Sequence, residues 1–363
     1  EDCAGQVGDY DCNQVLYGDF PGGLKDINTQ WIEVRNAMVH AYAEWITKVD
    51  FDGFRIDTLK HVEHGFWVDF CQRIREHAAK LGKDKFLMFG ESFGGDDRLN
   101  GSYTMENQLD SVFYFSQKYV LDNVFKNAGH TRELKDLFDR REANHGTQPQ
   151  PGGAGQPPHK LLVGFLDNHD VARFLYEKKR NDNGIEALRT ALVFLLTEDG
   201  IPCIYYGTEQ EFEGGNDPNN REDLWITNFN TNNPTFKLIA ELNRIRKDYE
   251  PLRRGDFVFS QWTDDSAGIL AFERYTDDNK RVLVVINTHD SESKNTQVPF
   301  YNTETETDEV RYLKTGFGSG TVLVNVLTDD DPTDKVTVEQ DGIVNLTLPP
   351  RGAKIFVPEN QRK

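Results

Sequence analysis

Apolar and polar positions along the chain alternate between a helical and a strand period. From Trp31 to Lys48 the apolar residues Trp31, Val34, Met38, Ala41, Tyr42, Trp45 and Ile46 fall at helical spacing, which predicts an amphipathic helix. A β-type run ending at Asp57 follows, then a helical pattern from about Gly65 to Leu81 and a second β-type run ending at Glu91. Leu109–Phe115 predicts a strand leading into a helix near Gln117–Lys126. The polar, Pro/Gly-rich stretch Ala143–Lys160 has the composition of a linker, but the alternation resumes after it, so it reads as a long surface loop. A run ending at Asp170, a helix at Ile185–Leu196, a strand at Ile201–Tyr206 and a helix at Phe236–Tyr249 complete this part. Strands alternating with helices predict parallel strands joined by crossover helices. After about Pro251 the rhythm changes. Val282–Ile286, Thr321–Val326, Lys335–Val338, Ile343–Leu348 and Lys354–Val357 are short β-type runs punctuated by Asp, Gly, Asn and Pro, which predicts a compact antiparallel β-sandwich.

Three acids stand at the ends of three of these runs. Phe51-Asp52-Gly53-Phe54-Arg55-Ile56 leads to Asp57, Phe86-Leu87-Met88-Phe89-Gly90 to Glu91, and Leu161-Leu162-Val163-Gly164-Phe165-Leu166-Asp167-Asn168-His169 to Asp170. Parallel barrels build their chemistry at the C-terminal ends of their strands, where side chains from several strands converge. A pair of carboxyls with a third in support is what glycosidic bond cleavage needs. Each acid alone has another reading, since Asp and Glu near a strand end often cap the next helix. Only five strands can be counted before the β domain, against the eight of a closed barrel. Either the sheet is open, or the chain begins partway through a barrel.

Composition narrows the partners. Lys and Arg number 41 against 60 Asp and Glu, a formal charge of -19 over 363 residues, which disfavours nucleic acid and anionic membranes and suits a neutral polysaccharide. The longest apolar runs, such as Ala191–Leu196, are too short to span a bilayer. Cys3 and Cys12 lie in a Gly/Asp/Asn-rich stretch that could close a small disulfide loop, or they could remain thiols; Cys71 and Cys203 read as buried thiols.

At these motifs the chain resembles the α-amylase family of retaining glycoside hydrolases. Gly53-Phe54-Arg55-Ile56-Asp57-Thr58-Leu59-Lys60-His61 is similar to the family's fourth-strand motif, Gly90-Glu91-Ser92 to its fifth-strand motif, and Phe165-Leu166-Asp167-Asn168-His169-Asp170 to its seventh-strand motif. Leu24-Lys25-Asp26-Ile27-Asn28 resembles the short motif before the third helix. The resemblance implies a (β/α)8 barrel of which strands four to eight are present and strands one to three missing, followed by a C-terminal antiparallel β-sandwich. Residues 1–30 would then be the end of the irregular domain inserted after strand three, 31–250 the C-terminal part of the barrel, and 251–363 the sandwich. The family's early Asp-x-x-x-Asn-His motif is absent from this sequence. A truncated or processed chain with exposed sheet edges is therefore expected, poorly stable alone and a monomer when intact.

The resemblance also implies roles. Asp57 would be the nucleophile, Glu91 the general acid/base and Asp170 the stabiliser of the transition state, in endo-type hydrolysis of α-1,4-glucans such as starch or glycogen. Asp57 must be ionised to attack, whereas Glu91 must hold a proton, which crowding by other acids and partial burial are expected to favour. Arg55, two residues before Asp57 on one strand face, would orient it and keep it ionised. His169, a core histidine on the plainer reading, would donate to hydroxyls of the reacting sugar. Lys60 and His61, otherwise surface residues, would lie on the acceptor side. Calcium is the cofactor implied, held by Asp26 and the His61 backbone carbonyl. Asp217 and Arg221 follow the pattern that binds a donor-side glucose, or simply form a pair that stabilises their loop. Together with Phe93, placed to stack on an acceptor sugar, they favour a glucanotransferase as the alternative activity. Gly22, at a position where cyclodextrin-forming members carry a bulky aromatic, speaks for hydrolysis. A catalytically silent glucan-binding protein is the reading from another class, and retention of all three acids speaks against it. The implied location is secreted or periplasmic.

Overall fold

The computed structural model describes residues 11–20, 23–105, 107–178, 183–327 and 333–363. The chain divides into two compact units, one of residues 1–117 and 139–164, the other of residues 118–138 and 165–363.

In the first unit the strands Gly53–Ile56, Leu87–Gly90 and Ser111–Val112 form a parallel sheet in that order. Gly53 pairs with Leu87 and Ile56 with Gly90, so the residues following each strand, Asp57 and Glu91, emerge at the same level. Glu91 is held there on both sides. Its N–H donates to the Ile56 carbonyl at 2.8 Å, and its carbonyl accepts from the Leu59 N–H at 2.8 Å. A parallel bridge from Phe113 to Val163 extends the order to the strand Val163–Phe165. The first two strands are joined by the helix His64–Lys80, which buries Phe66, Trp67, Phe70, Cys71, Ile74 and Ala78 along one face. Both helices expected first are present, within a residue or two of the spans the spacing predicts. In Ile32–Val49, however, the buried residues are Val39, Ala43 and Ile46, while Trp31 and Trp45 remain 64% and 55% exposed. That helix carries apolar residues on more than one face, so spacing alone could not choose the buried one.

The polar stretch Ala143–Lys160 differs from the expected surface loop. Gln150 and His145 are buried, and the Gly152 carbonyl accepts from the Phe86 N–H at 3.0 Å at the start of the second strand. The anchor is Asp110, fully buried. Its carboxylate accepts from the Met88 N–H (2.9 Å), the Ala154 N–H (2.8 Å) and Arg75 Nη2 (2.9 Å). Backbone groups in a buried loop need such partners, and a single acceptor-only carboxylate provides two of them here.

The second unit mixes helices with an antiparallel sheet. The six strands Lys335–Thr337, Val322–Asn325, Ala353–Pro358, Arg281–Asn287, Ile269–Tyr275 and Asp256–Gln261 lie in that order. Two of them, Asp256–Gln261 and Ile269–Tyr275, are absent from the strands read from sequence. Leu270, Phe272 and Val284 share one core with the helix Ile185–Thr197 and with Leu242 and Ile245 of the helix Pro234–Asp248. The alternate residues Ile269, Ala271, Leu283 and Val285 pack into another core with Val298, Leu313 and Leu348. Both faces are thus covered, which is why these central strands read as unbroken apolar runs rather than alternating ones. The shared core also explains why the compact unit begins well before the change of rhythm at Pro251. Cys71 and Cys203 are free thiols and Cys12 is disulfide-bonded; Cys3 lies outside the described residues, as does Gly22. No helix among the described residues is long and apolar enough to cross a membrane.

Replacing Asp110 by Ala is expected to destabilise the protein by about 3–5 kcal/mol, because it strands the buried Arg75 guanidinium as well as two backbone donors. Denaturant unfolding of Asp110→Ala against the parent checks this, and a loss under 1 kcal/mol would remove the anchor role.

Candidate active site

The site residues read from sequence fall into two groups, one in each compact unit. In the first unit Arg55 is the centre. Its Nη1 donates to Asp57 Oδ1 at 2.7 Å and its Nη2 donates to Glu91 Oε2 in a very short contact. A guanidinium presents donors in a fixed fork, so one side chain can hold two carboxylates in a defined relation. The sequence placed Arg55 beside Asp57 only. Its grip on Glu91 depends on the strand register, which sequence spacing cannot supply. The two acids differ in surroundings: the Glu91 side chain is 8% exposed and that of Asp57 65%. Gly90, immediately before Glu91, has no room for a side chain, since a Cβ would come within 2.7 Å of the Leu59 side chain. This close approach lets the turn after Asp57 lie against Glu91.

Lys60 and Phe93 meet. Lys60 Nζ donates to the Phe93 carbonyl at 2.6 Å, and the Phe93 ring, partly exposed, packs on Phe115 with centroids 5.0 Å apart. Burial pushes the Lys60 ammonium below its usual range, against an opposing pull from Glu91. His61 is buried rather than a surface residue. Burial and the neighbouring Lys60 charge lower its pKa, while a hydrogen bond to the Val15 backbone and Asp57 act the other way.

Asp26 lines a small polar cavity of about 150 Å³ with Asn28, Thr29 and Gln30. Its carboxyl is raised above the usual range by burial and by the Glu63 charge, despite a hydrogen bond from the Ile27 N–H. A cation would relieve that strain on the ionised form. Oxygen donors of this kind suit a hard cation such as calcium. Among the described residues no group of three or more His, Cys, Asp or Glu gathers around a common point, so such an ion would rely on backbone and amide carbonyls for most of its ligands.

In the second unit Asp170, His169, Asp217 and Arg221 come together. His169 Nε2 lies 3.1 Å from Asp170 Oδ2. Arg221 Nη2 lies 3.5 Å from Asp170 Oδ1, and its Nε lies 2.9 Å from Asp217 Oδ1 and 3.3 Å from the His169 carbonyl. The Asp217–Arg221 loop pair is therefore present, and it reaches Asp170 as well. Asp170 is set by a turn in which Asn168 Oδ1 accepts from the N–H groups of Asp170 and Val171 at 2.8 and 3.1 Å. Asp167, just before Asn168, is fully buried and raised by that burial, with the Phe174 N–H and Arg173 as its main compensation. Sequence reasoning missed Arg173, Asn220 and Glu222. A lone Arg inside the apolar run Val171–Leu175 was the available signal for the first.

Residues 8–311 match the model of the alpha amylase catalytic domain, and the chain belongs to that family. It is 32% identical over 357 residues to a beta/alpha-amylase of Paenibacillus polymyxa, covering 96% of this chain and 26% of that protein. It is 31% identical over 287 residues to an alpha-amylase of Streptomyces lividans, covering 72% of this chain and 30% of that protein. The chain thus spans less than a third of either relative. Among solved structures it resembles the alpha-amylase of Geobacillus thermoleovorans in complex with acarbose, with TM-score 0.76 and 25% identity over 97% of this chain and 70% of that one. The structural neighbours are (β/α)8 barrel enzymes with a C-terminal sheet domain.

Arg55→Met removes the counter-charge of a nearly buried carboxylate, and about 3 kcal/mol of stability should be lost at neutral pH. Denaturant unfolding of Arg55→Met against the parent tests this; a loss under about 1 kcal/mol would remove the anchoring role of the fork.

Proposed function

We propose that this chain carries the catalytic acids of a glycoside hydrolase that cleaves α-1,4-glucosidic bonds of starch, glycogen or malto-oligosaccharides with retention. The observation that supports it most is the single Arg55 fork gripping Asp57 and Glu91 at the ends of adjacent parallel strands. In this reading the exposed Asp57 carboxylate attacks the anomeric carbon while Glu91, sheltered from water, protonates the departing glycosidic oxygen. The resulting glycosyl ester is then attacked by water, which gives up its proton to Glu91. Arg55 holds the Asp57 carboxylate in place between turnovers. Asp170, with His169 and Arg221 around it, stabilises the positive charge that develops on the sugar. The five β/α-type strands would be strands four to eight of the barrel. The strongly acidic chain and its partly exposed aromatics suit a neutral glucan, and export from the cell fits such a substrate.

A glucanotransferase is the second reading. The partly exposed Phe93 ring beside Lys60 supports it, because a stacking face next to the acid would favour a sugar over water as acceptor. Product analysis separates the two: hydrolysis yields new reducing ends in step with bond cleavage, whereas transfer does not.

Chemistry tests the roles of the two acids. Glu91→Gln should nearly abolish cleavage of starch, whose sugar leaving group needs a proton, yet release fluoride from an α-glucosyl fluoride in a first turnover far better than Asp57→Asn, because fluoride needs little protonic help. Equal loss of fluoride release in both variants would remove Glu91 as proton donor. An initial β-anomer in the product, followed by NMR, would rule out retention.

Calcium is proposed at Asp26 and the His61 carbonyl. A bound ion favours the folded state, so a chelator should lower the Tm by several degrees, and Asp26→Ala should abolish that response. An unchanged Tm in the presence of chelator would end the proposal.

A further inference from the structure

Arg173 is among the largest fully buried side chains of the protein, and a charge so placed needs unusual support. Its guanidinium carbon sits 4.1 Å from the Tyr205 ring centroid, with Tyr206 and Phe212 at 5.1 and 5.4 Å. Its Nη1 donates to the Tyr206 carbonyl at 2.6 Å and its Nε to Glu222 Oε2 at 3.0 Å. The other oxygen of Glu222 accepts from the Gly214 N–H at 2.6 Å, and the Gly214 carbonyl accepts from the Arg173 N–H at 3.0 Å. Arg173, Glu222 and Gly214 thus close a ring that fastens the two ends of the 214–222 loop to the segment following Asp170. Gly214 has no alternative there, since a Cβ would fall 1.9 Å from the Asn219 carbonyl oxygen. Asn220 completes the attachment, donating to the Asn168 and Val171 carbonyls at 3.1 and 2.8 Å. The same loop carries Asp217 and Arg221, the residues that reach Asp170.

We propose that Arg173, acting through Glu222, is a positioning residue that sets Asp170 by holding the 214–222 loop, and with it Arg221, against the Asp170 turn. This rests on the reading of Asp170 as the group that stabilises the transition state. Arg173 itself is walled in by three aromatic rings and touches no substrate. Lysine cannot replace it, because an ammonium has neither the planar face for the rings nor the fork that serves Glu222 and Tyr206 together.

The test is a double-mutant cycle on kcat and KM for a malto-oligosaccharide, in the full-length protein, with Tm recorded for each variant. Arg173→Lys should lower kcat between about tenfold and 10²-fold, the scale of a small displacement of a reacting group, while KM changes little. In an Asp170→Asn background the same substitution should lower kcat no further. Glu222→Ala should reproduce this pattern, and Glu222→Gln, which keeps one of the two acceptors, should fall between Ala and the parent. Glu222→Ala carries the cycle if Arg173→Lys does not fold. A merely structural role would lower Tm in both backgrounds and multiply the kcat loss of Asp170→Asn. That result, or an unchanged kcat in folded Arg173→Lys, overturns the proposal. Parent-like kcat in Asp170→Asn alone would instead overturn the reading of the site, and the inference with it.

Discussion

The Asp57–Glu91 pair depends on charges that must find partners inside the protein, most of all at Glu91, whose side chain is 8% exposed. The Arg55 guanidinium answers this for Asp57 and Glu91 at once. The Glu91 ion would be costly at its depth without that cation, and the two carboxylates would repel each other without it between them. The strand register is the other half of the constraint. Pairing Ile56 with Gly90 brings the residues after both strands level, and the absence of a side chain at Gly90 lets the Leu59 turn close over them. A shift of one residue would turn Arg55 away from Glu91.

The same solution recurs elsewhere in the chain with different partners. Arg75 is buried against Asp110, whose remaining acceptor capacity pins a loop to the start of the Leu87–Gly90 strand. Arg173 is buried among aromatic rings and joined to Glu222. Arg274, also fully buried, donates to the carbonyls of Thr197, Leu252 and Gly255, tying the sheet to the ends of two helices. In each case the planar fork holds segments far apart in sequence. A lysine could supply the charge but not the geometry.

The acidic balance of the chain acts on a different scale. It sets which molecules approach, disfavouring polyanions, while the local fields around Asp57, Asp170 and Asp26 are set by neighbours within a few ångström. Asp26 shows the difference: its carboxyl is raised by its own burial and by Glu63, whatever the net charge of the surface. A neutral glucan is compatible with both scales, meeting little long-range repulsion.

The sequence by itself determined the helix and strand periods, the change to antiparallel strands near Pro251, and the acids that directly follow two strands, whereas the run read as ending at Asp170 is a strand only to Phe165, with Asp170 in the turn beyond it. Those features are local, written in spacing and in the residues that end each run. It did not determine which face of Ile32–Val49 is buried, because Trp31, Tyr42 and Trp45 compete with Val39, Ala43 and Ile46 for that role. It missed the strands Asp256–Gln261 and Ile269–Tyr275, and gave no sign that the polar stretch after Ala143 is partly buried. Nor could it show that Arg55 reaches Glu91, that Arg221 reaches Asp170, or that Arg173 fastens the loop between them. Those contacts join residues 36 to 51 positions apart. Only strand register and chain reversal bring such groups within hydrogen-bond range, and both are decided by how the whole fold buries its apolar surface.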